Sequence, residues 1–212
     1  MNVLSRTAPI LLWLSLGFAL LLGCTAPAPP PLLSSAPYVR TPLGQEQGEL
    51  GQISASLGAL IDPANTSFLA GESKAVFRLS SRYDLSFGGR PDVFTLEGNL
   101  RLLTGPFQLG WTHGVGGAAW FEGLNSLEAG TIHATTGLSF QFGQGERHLF
   151  GAFRYAYAHG AGPYLTRSYL IASLGFQTPL SATLRLSPEL HLLGDSEGAL
   201  YLAPTLVVSA GF

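Results

Sequence analysis

From about Gly48 to the last residue, apolar side chains recur at every second position, over runs far longer than an ordinary strand. Between Lys74 and Phe87 one face carries Ala75, Phe77, Leu79, Ser81, Tyr83, Leu85 and Phe87. The other carries Val76, Arg78, Ser80, Arg82, Asp84 and Ser86. Phe94, Leu96, Leu100 and Leu102 oppose Thr95, Glu97, Asn99 and Arg101 in the same way, and Leu184, Leu186, Leu190 and Leu192 oppose Arg185, Ser187, Glu189 and His191. A period of two belongs to a pleated strand, whose successive Cβ atoms point to opposite faces. Nine runs read this way: 49–61, 73–87, 92–104, 106–118, 130–142, 147–159, 165–178, 181–193 and 198–212. Most reach the roughly 9–11 residues that a tilted strand needs to cross a bilayer core, against about five or six for a usual strand.

Which face meets water is decided by charge. Only 11% of the residues are charged, against roughly 25% in ordinary soluble domains, too few to cover a water-exposed surface. The greasy face is therefore expected outside, in lipid. There every backbone N–H and C=O needs a partner, so the sheet must close on itself. The expectation is an all-β fold: a closed, antiparallel, up-and-down transmembrane β-barrel of about ten strands, with eight as the alternative. Even strand numbers put both termini on one side, and nine runs leave one strand to find; Tyr38–Gln45 is the candidate for it. Turn chemistry separates the runs at "GGRP", "TGP", "GQGE", "TP" and "GDSEG". Val115–Gly130 reads as a long external loop, and Asp62–Glu72 as a loop that falls on the periplasmic side against the usual asymmetry. Phe107, Phe140, Phe142, Phe176 and Phe212 make one expected aromatic girdle, and Phe87, Phe94 and Tyr157 the other. The rival architecture is a soluble lipocalin-like barrel, which inverts every residue.

In the membrane barrel the charged face points into the lumen. Lys74, Arg78, Arg82, Asp84, Glu97, Arg101, Arg154, Arg167, Arg185 and Glu189 are expected there or at its mouths. They make either a polar conduit or a network that fills the interior; filling is favoured, because arginine is long and carboxylates lie close enough to pair with it. A net charge of −2 gives no basic footprint for nucleic acid. One cysteine excludes an intrachain disulfide, and histidines 113, 133, 148, 159 and 191 lie at no ligand spacing, so neither metal nor cofactor is expected. "HLLGDSEG" gathers His191, Asp195, Ser196 and Glu197 near an external turn, at no nucleophile spacing. Trp120, Phe121 and Tyr164 are candidates for a partner or glycan at the external loops.

The N-terminus carries a separate message. After Arg6, Ala8–Leu22 is apolar except for Ser15 and short for a membrane helix. Leu21-Leu22-Gly23-Cys24 resembles the lipobox of bacterial lipoproteins. The resemblance implies cleavage before Cys24 and its acylation with fatty acids such as palmitate, which hold a protein in a leaflet by about 0.8 kcal/mol per buried CH₂. Thr25 follows, where the family often uses aspartate for inner-membrane retention, which implies the outer membrane. Residues 1–23 are then a signal peptide, 24–37 a proline-rich tether and 38–212 the barrel.

The end of the chain, with Leu202, Leu206, Val208 and Ala210 alternating before a final Phe212, resembles bacterial outer-membrane β-barrel proteins. Ala210 departs from the usual aromatic, and Pro204 removes one ladder donor. The resemblance implies outer-membrane lipid and the barrel assembly machinery as partners. Together these readings give a structural barrel or narrow pore without catalysis. The alternatives are a lipid-anchored soluble binding barrel in the periplasm and, further off, an outer-membrane lipid-modifying enzyme.

Overall fold

A computed structural model describes residues 50–61, 67–90, 93–122, 126–143, 147–160 and 167–212. Cys24, the tether, the Tyr38–Gln45 candidate and Tyr164 lie outside the described residues. Ten strands follow one another: β1 (Gly51–Ile61), β2 (Ser67–Arg78), β3 (Tyr83–Arg90), β4 (Val93–Leu103), β5 (Phe107–Glu122), β6 (Ser126–Phe142), β7 (His148–Gly160), β8 (Arg167–Pro179), β9 (Leu184–Asp195) and β10 (Leu200–Gly211). Each pairs antiparallel with its sequence neighbours, and β10 closes on β1 from Gln52↔Gly211 to Ile61↔Leu202. Followed once round the barrel, the pairing returns to β1 displaced by about twelve residues, a shear that tilts ten strands by roughly 40°. At about 3.3 Å per residue, an 11-residue strand tilted so rises roughly 28 Å, the thickness of a hydrocarbon core.

The tenth strand does not come from Tyr38–Gln45. It comes from the run 73–87, which is two strands joined by a turn over Leu79–Arg82. Ser80 breaks the run. Its Oγ accepts the backbone N–H of Tyr83 at 3.0 Å and of Arg82 at 3.3 Å, while the N–H groups of Leu79 and Ser80 both donate to the Tyr83 carbonyl. The same bonds recur over Leu180–Leu184, where Ser181 Oγ accepts from Thr183 and Leu184; this turn follows Pro179, which ends β8. With the extra turn, Ile61 at the end of β1 and Ser67 at the start of β2 face one another at the end of the barrel opposite Leu50 and Phe212, and Ser67–Glu72, expected as part of a loop, is strand. Val115–Gly130 is not a loop. β5 and β6 run on to Glu122 and Ser126, and "GVGGAA" lies within β5.

Burial alternates as strictly as the sequence does, and its sense is that of a transmembrane barrel. On β8, Tyr169, Ile171, Ser173, Gly175 and Gln177 are buried while Leu170, Leu174 and Phe176 are exposed; on β9, Arg185, Ser187, Glu189, His191 and Leu193 are buried while Pro188, Leu190 and Leu192 are exposed. Leu96, Leu138, Phe153, Leu174, Leu190 and Leu206 are exposed on the outer wall, whereas Asp84, Glu97, Arg101, Arg154, Arg185 and Glu189 are buried inside. The soluble alternative requires the reverse. Phe107, Phe142, Phe176 and Phe212 are exposed toward the end that holds the chain's last residue, with Phe77 among them. Phe87 joins this band rather than the opposite one: Phe77 packs edge-on against both Phe87, at 6.4 Å, and Phe212, at 6.1 Å.

At the seam, the N–H groups of Leu50 and Gly51 donate to the Phe212 carbonyl, and Phe212 N–H returns a bond to Gly51. The seam's ladder runs to Gly58↔Thr205 and resumes only at Ile61↔Leu202. The interruption falls at Pro204, which has no N–H to give.

Candidate functional site: the barrel lumen

The interior is stacked in three layers, counted from the end that holds Phe212. The first is a charged plug. Asp84 on β3 is 1% exposed and accepts from Arg101 Nη2 on β4 at 2.7 Å, with Arg78 Nε on β2 at 4.0 Å from its other oxygen. Arg185, His148 and Gln177 are buried at the same level on β7–β9. Alternation places these side chains inside, and the neighbouring registers Arg78↔Asp84 and Tyr83↔Leu100 bring three strands' charges to one carboxylate.

The second layer centres on Glu97. Lys74 Nζ donates to its Oε2 at 2.8 Å, and Arg154 Nη1 stands 3.6 Å from its Oε1. Beside them Asn99 Nδ2 donates to Ser139 Oγ at 3.3 Å. The cavity these residues enclose has about 20 Å³, the room of about one water. Across the lumen His191 is wholly buried, with Nδ1 at 2.9 Å from Ser173 Oγ and Nε2 at 3.4 Å from Glu189 Oε2. Serine, histidine and carboxylate stand in a row, but all three are buried. Ser173 and His191 face one another in the β8–β9 ladder, where backbone N–H groups are engaged in strand pairing rather than aimed at a developing oxyanion.

The third layer breaks the expectation of a polar lumen. Ala156, Tyr169, Ile171, Leu193 and Ala203 form a buried apolar cluster inside the far end, with Ala158 and Tyr201 packed against it. Above it Arg167 bridges Asp195 at 3.5 Å and Glu197 at 2.7 Å. Asp195 also accepts the N–H groups of Glu197 and Ala199, and Gly198, at φ 87°, closes that turn. "HLLGDSEG" is thereby split: His191 points into the lumen, while Asp195, Ser196 and Glu197 build the far-end turn.

Of the charges expected in the lumen, Lys74, Arg78, Asp84, Glu97, Arg101, Arg154, Arg185 and Glu189 are inside, and Arg167 is at the far mouth. Arg82 is not: it sits exposed on the Leu79–Arg82 turn, because the strand ends before it. A polar row also lies on the outer wall. Tyr83 OH lies 3.2 Å from His113 Nε2, the His113 ring packs at 4.7 Å on Trp111, and Trp111 Nε1 donates to Thr136 Oγ1 at 2.9 Å. Gly98 leaves the space for it: a Cβ there would stand 2.0 Å from Tyr83 OH. The signal was present in the parity of His113, which matches that of Trp111 and Val115. Among the described residues no cluster of three or more metal-ligating side chains occurs.

No family model matches the chain, and no curated protein does. Solved structures do. The outer membrane protease OmpT from Escherichia coli is similar with a TM-score of 0.42 and 12% identity, over 77% of this chain and 95% of that one. Ail, the attachment invasion locus protein of Yersinia pestis, gives 0.39 and 9%, over 76% and 96%. Neisserial surface protein A gives 0.32 and 10%, over 76% and 96%. At such identities and scores these likenesses bear on no residue of this chain.

Proposed function

We propose that the chain is a structural barrel of the bacterial outer membrane, made as a lipoprotein on Cys24, with a lumen that is sealed rather than conducting. The packed interior supports this reading. Between the Asp84–Arg101 plug and the apolar cap, the cavity at the Glu97 centre has only about 20 Å³. A conduit needs a continuous wet path, and ten strands leave little interior once side chains of this length fill it. The apolar outer wall, the terminal Phe212 and the lipobox-like Leu21–Cys24 support the location. On this reading the end with Leu50 and Phe212 is periplasmic and the far end external. Catalysis is not part of the proposal, because a serine as buried as Ser173 meets no substrate.

The test has two arms. Folded protein purified from outer membranes, identified by a heat-dependent shift on gels, is added to a planar bilayer. The sealed barrel gives no conductance steps, and steady openings overturn the structural reading in favour of a pore. Replacement Cys24→Ala abolishes metabolic labelling with a fatty acid; labelling that persists without Cys24 removes the lipoprotein part.

A further inference from the structure

The outer wall over β5–β10 is not filled. A hollow of about 800 Å³ runs obliquely across it. Trp111, Phe153, Tyr155 and Leu170 stand along its sides, and Gly137, Ala172 and Gly194 are among the residues that floor it. The floor is low where a small residue stands in register between two large ones: Ala172 lies between Phe153 and Leu192, and Gly194 between Leu170 and Leu200. A Cβ built on Gly194 meets nothing within 4 Å. The polar atoms at the edges answer one another. Trp111 Nε1 donates to Thr136 Oγ1, and Tyr155 OH is 2.9 Å from Ser168 Oγ. What the hollow offers is carbon.

Its occupant must reach into a concavity on a convex cylinder. A second barrel touches such a wall along a line and leaves the floor uncovered. A flexible hydrocarbon chain follows the hollow to its floor and gains close packing along it. The hollow reaches the strand ends at Gly194 and Leu200, beside the far-end turn. If the far end is external, as the proposed function has it, the chain comes from the leaflet on that side, which is glycolipid in an outer membrane. The geometry points to an acyl chain of an outer-leaflet glycolipid, held in the hollow between Trp111 and Leu200. This rests on the outer-membrane reading.

The experiment purifies the barrel from outer membranes in mild detergent and counts bound lipid by native mass spectrometry. Wild type, Gly194→Leu and Ala172→Phe are compared, with Leu96→Phe on β4 as a filler away from the hollow. Each sample is first checked for the heat-dependent gel shift, so that only folded barrel is counted. The expected result is one glycolipid retained by wild type and Leu96→Phe, with occupancy at least about tenfold lower in both hollow-filling variants, the change that a loss of about 1.4 kcal/mol produces. Equal retention in Gly194→Leu and Ala172→Phe, phospholipid in place of glycolipid, or a lipid-free wild type overturns the inference while leaving the outer-membrane barrel standing. Wild type absent from the outer-membrane fraction overturns both.

Discussion

Asp84 offers the sharpest test of whether the lumen is dry. Its carboxylate is 1% exposed and holds Arg101 at 2.7 Å, itself 4% exposed, with Arg78 at 4.0 Å. Asp84→Ala removes the counter-charge and leaves two guanidinium groups inside a barrel wall. Breaking a buried pair from one side costs about 3–5 kcal/mol, because the charge left behind stays out of water without its counter-charge. That is two to three and a half orders of magnitude in the folding equilibrium, at about 1.4 kcal/mol per tenfold. The internal standard is Glu197→Ala. Glu197 meets Arg167 at the same 2.7 Å, but its side chain is 49% exposed, so its loss is expected to cost about 0–1 kcal/mol. The two bridges are equally short but unequally buried, and Arg167 keeps Asp195 at 3.5 Å when Glu197 is gone. The assay is urea unfolding of barrel folded in lipid vesicles, followed by tryptophan fluorescence and by the gel shift. A cycle with Arg101→Leu completes it: the double variant is expected to lose less than the two single losses added, since the nearer of the two stranded guanidinium groups is then gone. If Asp84→Ala costs no more than Glu197→Ala, the lumen charges are hydrated and the sealed-plug account is wrong.

Gly116→Ala would place a Cβ 2.2 Å from the Phe94 carbonyl oxygen; backbone must move, and a loss of about 1–3 kcal/mol in the same unfolding assay is expected. Ser80→Ala removes the acceptor that turns β2 into β3, and about 0.5–1.5 kcal/mol should go with it; Ser181→Ala should match it, and a marked inequality would show that the two turns are not the same device. Phe212→Ala removes the ring that packs on Phe77 at the closing seam. Its folding into vesicles, timed by the gel shift, should slow, and an unchanged rate would detach the terminal ring from closure.

How much of this was legible in the sequence follows from what each feature depends on. Alternation is local, so wall and lumen were assignable residue by residue: Leu96, Leu100 and Leu102 outward, Glu97, Asn99 and Arg101 inward. Ten strands were legible as a number, but the break at Leu79–Arg82 was not: it lies inside one alternating run, where Ser80 bends the chain by accepting two N–H groups. The repeated leucine–serine pair at 79–80 and 180–181 was the readable sign. Glycine-rich "GVGGAA" suggested a loop, yet the close approach of neighbouring strands at Gly114 and Gly116 uses glycine inside β5. The apolar cap was hidden for another reason. Ile171, Leu193 and Ala203 sit at lumen parity among apolar neighbours of wall parity, and a stretch greasy on both faces carries no period to read. Pairings across the lumen, such as Arg154 with Glu97, depend on strand order and shear, which no single run contains.

The central claim is the sidedness of the wall, and spin labels can read it directly. In a Cys24→Ser background the chain has no other cysteine, so single cysteines at Leu96, Leu138, Leu174 and Leu206 report the outer face, and at Ser54, Ser139 and Ser187 the inner one. In lipid vesicles the first set should be reached by dissolved oxygen and not by a water-soluble nickel chelate. The second set, buried in a filled lumen, should be reached by neither. Inner positions that collide freely with the chelate would contradict the sealed lumen, and outer positions that do so would contradict the transmembrane barrel itself.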